Sequence, residues 1–528
     1  MKRVSPYISA LKDDLPASLV VFLVALPLCL GIALGSQAPL FSGLIAGIVG
    51  GIVIGILSGS NLSVSGPAAG LTTLVAAAIT RIPTFEAFLL AVVLCGCFQV
   101  LLGFLKAGII GDYVPGSVIK GMLAAIGIIL ILKQLPHLVG YDKDFEGDET
   151  FLQPDTQNTF STLTHALNYF TPLTALIGIL SLGVQLSWEK LTAGKKGMIK
   201  LIPAPLVVVM LAIGIHSLFI KLGSSFTIDE EHMVNIPVAG SMTEFFSFFR
   251  FPDWKQLTDQ RVWNAGVTIA LVASLETLLS IEAVDELDPY KRVTPTNREL
   301  KAQGIGNIVS GLLGGLPVTS VIVRSSANVN AGAKTKMAAV YHGLLLLISV
   351  AFFPALLNLI PKSALAAILI YTGYKLAKPS LVRSVYRKGW DQFLPFVFTI
   401  VAILMTDLLT GVLIGIAIGL FFILRSNFRT ALFVVNDQSN YLFRLRKDVS
   451  FLNKALIKKK LEEVPENAYV LIDAARADFI DKDIIEVIED FMLHAPLKNI
   501  TVELKQSMLQ NQGFSEKTKP IDKTNPKT

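Results

Sequence analysis

Residues 314–336 read GGLPVTSVIVRSSANVNAGAKTK. Strongly apolar sequence flanks this stretch on both sides, which places it at membrane depth. Yet it holds Gly314-Gly315, Pro317, several hydroxyl and amide side chains, and Arg324. Proline lacks a backbone donor and clashes with the preceding turn, so no helix runs unbroken through it. A helix restarting at about 318–320, with Pro317 near its first turn, opens with unpaired N–H groups at the positive end of its dipole. In lipid such an end persists only where it is buried in protein or lines a cavity. A helix N-terminus aimed into a cavity attracts anions.

The same pattern occurs earlier, at residues 58–73, SGSNLSVSGPAAGLTT, where Gly66-Pro67 again interrupts apolar sequence before small residues and a new apolar run. The two interruptions lie about 250 residues apart. Paired breaks in corresponding halves of a polytopic chain mark the central site of a carrier.

Composition sets the class. Of 528 residues, 52% are hydrophobic and 16% charged, and the mean hydropathy is +0.60. These values exclude an ordinary soluble enzyme and indicate a multi-span membrane protein. The formal net charge of +6 is what basic cytoplasmic loops produce, so no nucleic-acid partner is inferred. Cys29, Cys95 and Cys97 lie in apolar runs without metal-ligand spacing and read as free thiols. No P-loop, metal-ligand cluster or nucleophile triad is present in the sequence. The chain is therefore read as a non-enzyme with no cofactor.

Fourteen apolar segments follow in order, at about 17–35, 41–57, 68–81, 87–105, 118–132, 172–188, 201–220, 265–281 and 305–316, then a half-helix after Pro317, then 338–357, 363–376 and, pinched at Thr406-Asp407, two within 393–424. They divide seven and seven, as repeats of about 15–195 and 196–430. The third, ninth, tenth and twelfth are too short to cross about 30 Å of hydrocarbon as straight helices. Glycines 47 and 51 in the second segment offer a small-residue face for close helix approach. Lys2, Arg3, a linker at 190–200, a loop at 378–388, Arg425 and Arg429 share one side when fourteen spans are counted. The positive-inside rule then puts both termini in the cytoplasm of a multi-pass cell (inner) membrane protein. The acidic loop 133–170 and the loop 222–262 fall outside. The transmembrane domain is expected over 1–431. Residues 432–505 alternate like strands and amphipathic helices of a small cytosolic α/β unit. Residues 506–528 read as a disordered tail.

The chain resembles the SulP family of inorganic anion transporters, related to the SLC26 carriers, with a C-terminal STAS-like domain. The resemblance covers roughly residues 15–505. It is carried by 59–67, GSNLSVSGP, by 298–307, RELKAQGIGN, and by Arg324 with 332–335, GAKT. It implies a seven-plus-seven inverted repeat with a core domain (spans 1–4 and 8–11) and a gate domain (spans 5–7 and 12–14). It implies a homodimer in the lipid bilayer and an anion held between half-helices 3 and 10. The residues facing that anion are then Ala68, Ala69 and Gly70 on half-helix 3 and Thr319, Ser320 and Val321 on half-helix 10. Many relatives place small hydroxyl residues where this chain has Val321 and Val323. Arg324, about one turn into half-helix 10, is expected to raise the local positive potential. An ion pair with Glu276 is its alternative role.

Glu276 is an intramembrane carboxylate, and Ser280 lies one turn further along the same helix face. This pair resembles the acid-x-x-x-Thr arrangement of the family's sodium-dependent bicarbonate transporter, and it is expected to hold Na+ or a proton. The reading is a secondary active transporter of bicarbonate or sulfate, coupled to Na+ or H+, working by alternating access. A nucleobase–cation symporter of the same fold and an anion exchanger or channel-like protein remain as alternatives. In the STAS-like unit, Lys482 stands where related domains carry a phosphorylatable serine, so no phosphorylation is expected there.

Overall fold

The computed structural model describes residues 6–144, 151, 158–169, 171–192, 202–221, 228–238, 242–430 and 432–505. The expected tail at 506–528, most of the basic linker and part of the acidic loop lie outside the described residues. The chain forms two compact units, Met1–Ala417 and Ile418–Thr528.

The first unit is helical. Its principal helices are α1 (Pro6–Gly35), α2 (Leu40–Leu57), α3 (Ala69–Arg81), α4 (Phe85–Phe104), α5 (Gly116–Val139), α6 (Pro172–Thr192), α7 (Ala204–Lys221), α8 (Gln260–Leu287), α9 (Thr296–Leu313), α10 (Ile322–Asn330), α11 (Met337–Phe352), α12 (Lys362–Leu376) and α13 (Trp390–Met405), and α14 (Leu408–Thr430) begins in it and continues into the second unit. Among the described residues, α1, α2, α4, α5, α7 and α8 are long and apolar enough to cross a membrane unaided. Two three-residue strands, β1 (Ser65–Pro67) and β2 (Val318–Ser320), interrupt the helices.

Three helices extend beyond the segments read from hydrophobicity. Helix α5 continues to Val139, so Lys133 is helical rather than the start of a loop. Helix α8 runs to Leu287 and takes in Asp285. Helix α9 begins at Thr296 and contains Arg298 and Lys301. Charged residues persist in these helices because other parts of the chain supply their partners. Asp285, for example, accepts a hydrogen bond from the Thr294 hydroxyl at 2.7 Å.

The small-residue face of α2 packs as expected. A Cβ on Gly51 would lie 2.5 Å from Gly343 Cα of α11, and one on Gly47 2.6 Å from Cys29 Sγ of α1. Helix α2 also contains a π-helical turn, Gly50–Ile54, a feature that often marks functional sites. This turn rests against β1, since a Cβ on Gly50 would approach Ser65 O to 2.3 Å.

Beyond the end of α5, a buried carboxylate ties two segments together. Asp142 Oδ1 pairs with His137 Nδ1 at 2.5 Å and Oδ2 with His232 Nδ1 at 2.6 Å. Burial alone would raise the Asp142 carboxyl, but hydrogen bonds from His137 and His232 outweigh it and hold the group below the usual carboxylate range. The same bond to Asp142 raises His232 above its ordinary value. The 228–238 segment is fixed further by a bridge between Met233 and Pro361.

The second unit is a four-stranded sheet, in the order β3 (Leu432–Asp437), β4 (Asn440–Val449), β5 (Tyr469–Ile480) and β6 (Thr501–Lys505). The first pair is an antiparallel hairpin and the other two pairs are parallel. Helices α15 (Lys454–Glu462) and α16 (Lys482–His494) supply the crossovers that parallel strands require. Phe443, Leu445, Val470, Ile472, Ile484 and Ile488 form its core. Asp481 caps α16 by accepting from the Asp483 N–H.

Candidate functional site

The two interrupted stretches meet each other. Strands β1 and β2 pair antiparallel with Ser65 opposite Ser320, Gly66 opposite Thr319 and Pro67 opposite Val318. Backbone groups freed by Gly and Pro have no water to bond at membrane depth, so each stretch satisfies the other. Each strand runs into a helix, β1 into α3 and β2 into α10. Because the strands are antiparallel, the two helices leave the crossing in opposite directions with both N-termini at it. Neither N-terminus carries a side-chain cap. Two positive dipole ends therefore converge on one point.

Helix α10 starts later than its sequence suggested. Residues 318–320 are extended, Val321 is the N-cap, and the helix begins at Ile322. Thr319 and Ser320 thus lie in β2, fully buried, rather than on the half-helix. A side chain explains the extended backbone. Asn307 of α9 accepts from the Val318 N–H at 2.6 Å and donates to Val318 O at 2.9 Å, as a neighbouring strand would. Val321 N–H reaches Val64 O at 3.0 Å. Thr277 Oγ1, beside Glu276, faces Ser320 N–H at 3.4 Å. On the opposite side, Ala68 is the N-cap of α3, and Ala69 and Gly70 form its first, 3-10 turn.

The 298–307 motif now has a physical role. Glu299, Gln303 and Asn307 recur every four residues and form one fully buried face of α9. Glu299 accepts from the Ser58 hydroxyl at 2.6 Å and from Gly59 N–H at 3.2 Å. Gln303 donates to Ser65 Oγ at 2.7 Å and to Glu299 at 3.0 Å. This polar row holds both strands of the crossing. The 332–335 loop is clipped by Asp14, which accepts from Lys334 N–H at 2.7 Å and Thr335 N–H at 3.1 Å.

Arg324, the third residue of α10, is fully buried. Among the described residues Arg324 makes no ion pair, and its Nη2 donates to Cys29 Sγ at 3.3 Å. Its Nε and Nη1 have no hydrogen-bond partner among the described residues. The guanidinium lies against β1, where a Cβ on Gly66 would fall 2.0 Å from Nη1. Only glycine permits that approach. Glu276 lies beside the start of α3, with Oε1 3.1 Å from where a Cβ on Gly70 would stand. Ser280, one turn on, is buried.

A small cavity opens at this crossing. Ala69, Val321, Val323 and Arg324 line one part, Leu28 and Ile32 of α1 another, and Lys133 and Gln134 of α5 a third. Its free space is about 20 Å³, room for roughly one water. Lys133, Gln134 and Thr277 were missed from sequence. The visible signal was a Lys-Gln pair continuing a helical apolar pattern past residue 132.

A model described as the sulfate permease family matches residues 11–420. The sodium-independent sulfate anion transporter of Bos taurus is 27% identical over 462 residues, covering 81% of this chain and 73% of that one. YvdB of Bacillus subtilis (strain 168) is 26% identical over 447 residues, covering 83% and 78%. The bicarbonate transporter BicA of Synechocystis sp. is 24% identical over 347 residues, covering 65% of this chain and 57% of its own. Among solved structures, SLC26A9 superposes with a TM-score of 0.65 at 16% identity, covering 95% of this chain and 85% of that one. The transmembrane domain of a cyanobacterial BicA gives 0.51 at 21% identity, covering 79% and 98%. At such identities the superpositions establish a shared fold.

Proposed function

The chain belongs to the sulfate permease family, and from that premise we propose that it is a secondary active transporter of bicarbonate or sulfate, coupled to Na+ or H+. As a member of that family it is a multi-pass membrane protein that moves anions, not an enzyme. The observation that carries the proposal is the crossing of β1 and β2, where two uncapped helix N-termini and the buried Arg324 guanidinium converge. An anion there accepts from backbone N–H groups, since Ala69, Val321 and Val323 offer no side-chain donors. Arg324 opposes the nucleobase reading, in which acidic groups face the substrate.

Glu276 with Ser280 is the proposed cation site. Bringing a monovalent anion into a cell held at about −100 mV costs about 2.3 kcal/mol. One co-transported cation cancels that charge, and its own gradient then drives accumulation. The cavity as it stands is too small for an oxyanion, so loading requires the spans carrying the crossing to move against α5. That movement is alternating access. The carrier operates as a homodimer with both termini in the cytoplasm.

Uptake of labelled bicarbonate, sulfate and uracil into proteoliposomes, with and without an inward Na+ gradient, tests the proposal. Concentrative uptake of either inorganic anion supports it. Uptake of uracil alone overturns it. Anion uptake that needs a counter-anion inside and ignores both cation gradients identifies an exchanger.

A further inference from the structure

Gln134 is a buried polar group that the transport reading leaves without a task. It sits on α5, is 2% exposed and lines the cavity at the crossing. Its Oε1 has no hydrogen-bond partner among the described residues. Arg324 lines the same cavity, and its Nε and Nη1 donors are likewise unpaired among the described residues. A buried polar atom without a partner is strongly unfavourable, so each of these atoms calls for a ligand group of the opposite kind. The cavity therefore asks for a ligand with acceptors toward Arg324 and a donor toward Gln134.

We propose that Gln134 is the gate-side selectivity residue of the anion site and favours oxyanions that carry a hydroxyl, of which bicarbonate is the simplest. This rests on the anion-transport reading above and narrows its substrate class. Bicarbonate has two oxygens to accept from Arg324 and the helix N-termini, and one O–H to donate to Gln134 Oε1. Fully deprotonated sulfate has four acceptors and no donor. It leaves Oε1 unpaired or forces the amide to turn over. A site built to bond a substrate hydroxyl rejects analogues lacking it far more strongly than an apolar pocket rejects a change in size.

Acetate separates the effects, because it matches bicarbonate in charge, planarity and size and carries a methyl in place of the hydroxyl. The experiment measures inhibition of labelled bicarbonate uptake by unlabelled bicarbonate, acetate and sulfate in proteoliposomes, for wild type and Gln134→Met. Wild type is expected to prefer bicarbonate over acetate by about tenfold or more. In Gln134→Met, which keeps the length and loses the acceptor, that preference falls to within about threefold. Wild type that treats bicarbonate and acetate alike overturns the proposal, whether or not the variant folds. So does a Gln134→Met protein that retains the full preference. Wild type that carries sulfate but not bicarbonate also overturns it while leaving anion transport intact, and wild type that carries no anion strikes the transport reading itself.

Discussion

Gly66→Ala probes the site without altering any charge. The added Cβ would stand 2.0 Å from Arg324 Nη1 and 2.7 Å from its Cζ, where ordinary contact begins at 3.4 Å. The guanidinium must therefore retreat by roughly 1.4 Å, because the backbone of β1 is held by its pairing with β2. Overpacking of this kind costs about 1–3 kcal/mol of stability. On the proposed placement of the anion at the helix N-termini, the retreat also draws Arg324 out of hydrogen-bond reach of it. A hydrogen bond to a charged group contributes about 1.5–3 kcal/mol, so the KM for the transported anion should rise by roughly 10- to 150-fold. The assay is labelled-anion uptake in proteoliposomes, with thermal unfolding of the purified protein measured beside it. Gly183→Ala is the control, since a Cβ there meets nothing within 4 Å. On an Arg324→Gln background, Gly66→Ala should raise KM no further, because the shortened side chain removes the clash. A Gly66→Ala KM within about twofold of wild type, or full additivity with Arg324→Gln, would refute the placement of Arg324 at the anion.

Glu276→Gln should abolish gradient-driven uptake while the protein still folds, and Ser280→Ala should raise the cation concentration for half-maximal uptake. Unchanged concentrative uptake by Glu276→Gln would remove the carboxylate from coupling. Asn307→Leu strands the N–H and C=O of Val318 in a buried site, at about 1–3 kcal/mol for each. Its unfolding midpoint should drop well below that of Asn307→Asp, which keeps one of the two bonds, and equal midpoints would count against the clamp. The Asp142–His232 pair should make stability pH-dependent. The lowered carboxyl contributes above its ordinary 3.8 and loses that contribution as pH falls through its folded value. The raised imidazole contributes fully below its ordinary 6.5 and loses that contribution as pH rises through its folded value. The gap in unfolding temperature between wild type and His232→Asn should be widest between those two ordinary values and narrow toward about pH 9. A gap that widens with rising pH would contradict it.

Much of the architecture was legible because lipid enforces long apolar runs and makes their interruption conspicuous. The breaks at Gly66-Pro67 and Gly314-Pro317, the pinch at Thr406-Asp407 and the α/β unit after 431 all follow from local composition. The pairing of β1 with β2 was not legible. Three residues are too few to show alternation, and each strand's partner lies about 250 residues away. The start of α10 was misplaced for the same reason, since the group that holds Val318 extended is Asn307 on another helix. The buried face of α9 was hidden because Arg298, Glu299 and Lys301 look like loop charges until Ser58 and Ser65 are seen to meet that face. Lys133 and Gln134 read as loop residues because they begin a polar stretch, although α5 carries them to the cavity.

The transported anion is proposed to sit where the two strands cross. Difference density from the purified protein, with and without saturating bicarbonate, tests this most directly. A planar oxyanion is expected within hydrogen-bond reach of the first N–H groups following Ala68 and Val321, beside Arg324. Density confined to another part of the protein, in a preparation that transports bicarbonate, would contradict it.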